Sequence, residues 1–128
     1  MNCTTIEQSK KLLELGLSPD SADILILNNV GRSGKVDDTN YTIILKENLN
    51  PLAKVPEIIP CWSVGALLEL MPELNGRYRP TICPSENLCY FEDFLREELV
   101  TIDGDSLIEV CVQTVIWLLD HDYINKKV

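Results

Sequence analysis

The chain has 128 residues, of which 45% are hydrophobic and 24% charged, and a formal net charge of −9. That length and composition belong to one globular domain, 1–128, able to bury a core without staples, and they exclude a disordered chain. With 20 acidic residues against 11 basic ones, the clustered Lys and Arg that DNA, RNA or anionic membranes require are missing, so no nucleic acid and no membrane is an expected partner.

Taken in order, Thr4-Thr5-Ile6-Glu7-Gln8 reads as a helix start. Thr4 with Glu7, or Thr5 with Gln8, makes a capping box, and Gly16 stands where a helix-ending residue with positive φ belongs. Ser18-Pro19 opens a turn with Ser18 as cap and Pro19 as first residue. Ile24 to Leu27 reads as a strand, Asn28 to Asn40 as a polar loop, and Tyr41 to Leu45 as a second strand. Asn48 to Pro60, punctuated by Pro51, Pro56 and Pro60, reads as irregular.

Ser63 caps the next helix, where Val64, Leu67, Leu68 and Met71 give the spacing of a buried face, and Pro72 stops it. Asn75-Gly76 is a turn. Arg77 to Cys83 is a strand whose Pro80 favours an edge, and Leu88 to Phe91 is another. Glu92 to Glu98 reads either way: Phe91, Phe94 and Leu95 have helical spacing, yet the run before them is extended. Glu98 to Ile102 is a strand, and Asp103-Gly104-Asp105 closes it. Asp105 to Leu119 is a helix apolar over most of its circumference, wet only along Glu109 and Gln113, with Asp120 near the same line. The order predicts an α+β fold, with an antiparallel sheet of about four to five strands and about three helices, the C-terminal helix the most buried.

The chemistry-bearing residues make no catalytic motif. Gly31-Arg32-Ser33-Gly34-Lys35 follows an apolar strand, but a phosphate loop needs Gly-Lys followed by Ser or Thr, and Val36 stands there. Cys3, Cys61, Cys83, Cys89 and Cys111 are odd in number and show no Cys-x-x-Cys pair. The N-terminus lacks a basic, then apolar leader. A reduced, cytoplasmic protein without metal or other cofactor is expected. His121, between Asp120 and Asp122 at a helix end, suits the macrodipole. Cys111 lies about 15 Å along the same helix axis and cannot reach it. Trp62 stands just outside a helix cap, where a hydrophobic staple sits.

Three segments resemble a large group of uncharacterised small proteins from gut anaerobic bacteria and their prophages or mobile elements. They are Thr5 to Asp23, the Trp62-Ser63 helix through Pro72, and Asp105 to Leu119 with Asp122-Tyr123-Ile124. The resemblance implies a mobile-element origin and a compact α+β fold. It carries no activity and no catalytic residues.

Three readings follow. The first is a non-enzymatic accessory factor with a protein partner, homo-oligomer included. The second is a small enzyme or ligand-binding domain whose pocket converges from Trp62, Cys61, Tyr78, Tyr90 and His121. The third is an acidic decoy whose carboxylates imitate DNA phosphates.

Overall fold

The structure, a computed structural model, describes residues 3–30, 36–49 and 57–124. Helix α1 (Ile6–Glu14) starts at Thr5, whose hydroxyl accepts the Gln8 amide at 3.1 Å while the Gln8 side chain accepts the Thr5 amide at 2.9 Å. Of the two capping boxes open in the sequence, this is the one formed. Thr4 turns inward instead: its hydroxyl bonds Ser9 Oγ at 2.7 Å and accepts the Trp62 amide at 3.0 Å. Gly16, at φ 101°, lets the chain reverse, and the buried Leu17 donates its amide to the Leu12 carbonyl at 3.0 Å. Because Thr5 is exposed, Thr5→Ala removes the cap and little else. It is expected to cost about 1 kcal/mol, read as a lower denaturant midpoint at unchanged slope.

Strands β1 (Ile24–Val30), β2 (Val36–Leu45) and β3 (Glu57–Cys61) form one antiparallel sheet in the order β2-β1-β3. Helix α2 (Val64–Glu69) follows, capped by Ser63 Oγ on the Ala66 amide at 3.1 Å. Strands β4 (Arg79–Cys83), β5 (Leu88–Glu92) and β6 (Glu98–Asp103) form a second antiparallel sheet in the order β4-β5-β6, and helix α3 (Leu107–Asp120) closes the described chain.

Among the described residues the fold is thus α+β with three α-helices, but the expected single sheet of four to five strands is two sheets of three. Two sequence readings failed to see this. Within the expected loop, Asn28–Val30 and Val36–Asn40 are strand, with Asn28 opposite Tyr41 and Val30 opposite Val36. A ladder is made by main-chain groups and does not require apolar side chains. The expected irregular stretch ends in β3, where Ile58 and Ile59 supply β-branching and Pro60 is tolerated because β3 is an edge strand. The Gly31–Lys35 motif, Pro51 and Pro56 lie outside the described residues, as does the tail beyond Ile124.

The larger core cluster gathers all three helices on one face of the β4-β5-β6 sheet. Phe91 and Cys89 rise into it from β5, Trp62, Ala66 and Leu67 enter around α2, and Val110, Cys111, Val112, Val115, Leu118 and Leu119 come from α3. A smaller cluster, Ile24, Ile26, Ile59 and Cys61, lies on the first sheet with Cys3 and Ile6 against it. Cys61 and Trp62 are neighbours in the chain and point into different clusters, as successive side chains of an extended backbone must.

Polar groups are matched where the clusters meet. Trp62 Nε1 donates to Ser21 Oγ at 2.9 Å, the Ser63 amide donates to Asp23 Oδ1 at 2.9 Å, and Ser63 Oγ donates to Asp23 Oδ2. No described helix is long and apolar enough to cross a membrane.

Candidate functional site

Since Cys89 and Phe91 face the helices, the strand alternation turns Leu88, Tyr90 and Glu92 to the opposite side of the second sheet. The register then sets three rows across that face: Arg79–Glu92–Glu98, Thr81–Tyr90–Thr101 and Cys83–Leu88–Asp103. Thr101 Oγ1 donates to Glu98 Oε2 at 2.8 Å, which ties two of the rows together.

The end of this face is built by the link between β5 and β6. Asp93 is 4% exposed, and its carboxylate organises the whole turn. Oδ1 accepts the amides of Leu95 at 3.0 Å and Glu97 at 2.9 Å, while Oδ2 accepts Arg77 Nε at 2.9 Å and pairs with Nη2 at 2.8 Å. The main chain closes the same loop through Asp93 N to Glu97 O at 3.1 Å and Arg96 N to Asp93 O at 2.9 Å, with Arg96 in the left-handed region at φ 63°. The Glu97 amide, and then Arg77, hold the Asp93 carboxyl below the usual carboxylate range, against its burial. Arg77 also reaches Glu97 Oε2 at 2.9 Å and lies 5.1 Å from the Tyr78 ring centroid.

The product of this bonding is a fixed apolar tip. Phe94 is 91% exposed and Leu95 68%. Single exposed apolar residues are ordinary on a protein surface, but two large adjacent ones on a turn locked from beneath are not explained by folding. Phe94 forms one wall of a concavity of about 370 Å³, shared with Glu73, Gly76, Arg77, Arg79, Thr81, Glu92 and Asp93. Its carboxylates and guanidiniums are interleaved, and Arg79 Nε stands 3.6 Å from Glu73.

The residues singled out in the sequence are distributed differently. Trp62 is 0% exposed in the large cluster. Cys61 is buried in the small one beside Cys3, and burial pushes its thiol up, with Cys3 and Asp23 adding to the effect. Tyr78 packs on the rim of the large cluster beneath Arg77. Tyr90 stands on the open sheet face, where its bond with Cys83, then burial, raises the phenol. His121 is exposed, with Nδ1 2.8 Å from the Trp117 carbonyl and its ring stacked on Trp117 at 4.3 Å. The structure therefore brings Tyr90 to the face that ends in the tip, while Trp62 serves the core and His121 a separate aromatic stack with Trp117 and Tyr123. Among the described residues no group of three His, Cys, Asp or Glu could hold a metal ion.

Sequence reading passed over Asp93, Phe94, Leu95 and Arg77. The available signal was an acidic residue directly before two apolar ones, between two strands. The helical spacing of Phe91, Phe94 and Leu95 concealed it. No protein-family model matches the chain, and neither curated proteins nor solved structures gave a match.

Proposed function

We propose that the chain is a non-enzymatic accessory factor that binds a protein partner through the tip between β5 and β6. The observation that carries this reading is the exposure of Phe94 and Leu95 on a turn whose conformation is over-determined by the Asp93 carboxylate. A pre-organised apolar anchor loses little entropy on docking, and aromatic anchors dominate binding energy at protein interfaces. The phage or mobile-element origin rests on the resemblance of the three sequence segments. The polar concavity beside the tip gives an enzymatic reading little to work with, because Asp93 is committed to Arg77 and two amides and is held ionised rather than poised for proton transfer. Arg77 and Arg79 interrupt the carboxylates of this face, which disfavours the phosphate-imitating reading.

The test compares the protein with a Phe94→Asp/Leu95→Asp double variant, each immobilised and exposed to an extract of the native host. The expected result is one protein retained by the original chain and absent from the variant, with affinity at least about 30-fold weaker. The melting temperature should be unchanged, since neither side chain is buried. Equal retention by both overturns the tip as the docking element.

A further inference from the structure

Strand β6 forms one edge of the second sheet. It pairs with β5 alone, so one row of its amides and carbonyls has no strand partner among the described residues. Such a row is a template for a further strand. The side chains of β6 sort by alternation: Val100 and Ile102 pack toward the helices, while Glu98, Thr101 and Asp103 are exposed on the outer face. Leu99 falls where the register with β5 shifts and is also exposed. A shallow groove of about 250 Å³ lies between β6 and α3. Ile102, Ile116 and Trp117 line it half-buried, and Gln113 and Asp120 line it exposed. An open strand edge therefore runs beside a small apolar trough with a carboxylate at its border.

Charge decides what fits there. From Glu97 to Ile124 the sequence carries seven acidic residues and no Lys or Arg. Arg79 stands at the opposite edge of the sheet, in β4, and Arg96 belongs to the turn before β6. A second copy pairing along β6 would set Glu98 and Asp103 against the same carboxylates, which like-charge repulsion opposes. A basic strand meets opposite charge along the same edge.

We infer that the β6 edge and the groove beside it dock an extended basic segment of a partner protein, added to the sheet as a fourth strand. Main-chain pairing with β6 holds such a segment. Its side chains then alternate between the two faces. One set enters the groove against Ile102, Ile116 and Trp117 and is apolar. The other set lies beside Glu98 and Asp103 and is Lys or Arg. The inference rests on the reading of this chain as a protein-binding factor, and it adds the chemistry of the partner's segment, which meets β6 where the strand leaves the tip.

The test titrates the isotope-labelled chain with the capped peptide Lys-Val-Lys-Leu-Lys-Val-Lys-Val and follows its amide spectrum. Saturable shifts are expected at the amides from Glu98 to Asp103 and at the Trp117 indole, weakening as salt is added. The same peptide with Glu in place of every Lys should not bind. Methylating alternate peptide nitrogens, in each of the two frames, should abolish binding in the frame whose amides face β6. Asp120→Lys, a surface change, should melt as the original chain does and bind about 10-fold more weakly. Glu69→Lys, an equal charge reversal on the exposed part of α2, should change affinity by less than about twofold. No saturable binding, binding kept in both methylated frames, equal loss in Glu69→Lys, or shifts centred away from β6 overturns the edge as the docking site. The titration uses neither host extract nor the tip residues, so a failure here and a failure of the tip to retain a host protein are read separately.

Discussion

Replacing Val112 by Asp is expected to abolish cooperative folding. Val112 is 1% exposed in the cluster formed by α3, α2 and β5. A carboxylate there meets the apolar members of that cluster. Burying such a group without a partner costs several kcal/mol or forces it to protonate, and the lost packing adds to that. The whole stability of a domain this size is about 5–15 kcal/mol, so the variant should give a sloping thermal trace, loss of near-ultraviolet dichroism and a broad amide spectrum. Gln113→Asp is the control. It places the same group one residue along the same helix but on its exposed side, and it should keep a sharp transition within about 0.5 kcal/mol of the original. Ile116 is half-buried, beside Gln113, Trp117 and Asp120 at a shallow concavity. Ile116→Asp should therefore fall between these two. A cooperative Val112→Asp variant would show that α3 does not organise the core.

The last helix was the most legible part of the chain because local pattern and burial agree there. Of the expected polar stripe, Gln113 and Asp120 are exposed while Glu109 is half-buried, its carboxylate accepting the Asp105 amide at 3.3 Å, and Ser106 caps the helix by accepting the Glu109 amide at 3.2 Å. The Thr5, Ser18 and Ser63 caps were legible for the same reason: a short hydroxyl side chain bonds within two or three residues of itself, so sequence spacing nearly determines the contact. Strand pairing is not local. Nothing in Asn28 to Asn40 announces that its ends continue β1 and β2, and nothing separates six short strands into two sheets before their partners are known.

The tip failed for a further reason. Phe91 and Phe94 look equivalent in the sequence, yet one is 0% and the other 91% exposed, because Asp93 between them turns the chain. Asp93 centres the turn by accepting the Leu95 and Glu97 amides, and its other oxygen is held by Arg77, sixteen residues earlier. Cys3 likewise pairs with Ser63 across sixty residues, through a bridge no motif encodes.

The second large effect is expected at Asp93, where a single side chain holds both the conformation of the tip and the charge of Arg77. Asp93→Ala removes the acceptor of the Leu95 and Glu97 amides and the partner of Arg77 together. The turn should then open on its own while the rest of the fold persists, raising hydrogen exchange at the Leu95 and Glu97 amides by on the order of 100-fold and abolishing partner retention. Asp93→Asn separates the two roles. Its carbonyl oxygen can still receive the amides, but its NH2 group is then aimed at the guanidinium, donor against donor. The turn amides should stay partly protected and Arg77 should be released.

Acid reaches the same carboxylate without mutation. Because the folded-state pKa of Asp93 is held below its ordinary value of 3.8, the contribution of this carboxylate is fully present above that value and is lost as pH falls through the lower, folded one. Protection at Leu95 and Glu97 should accordingly hold from neutral pH down to the ordinary carboxylate range and fall only below it, to the partial level of the Asp93→Asn variant, which should itself lack that acid transition. Collapse already near neutral pH, or an unchanged transition in Asp93→Asn, would mean that some other group holds Phe94 and Leu95 in place.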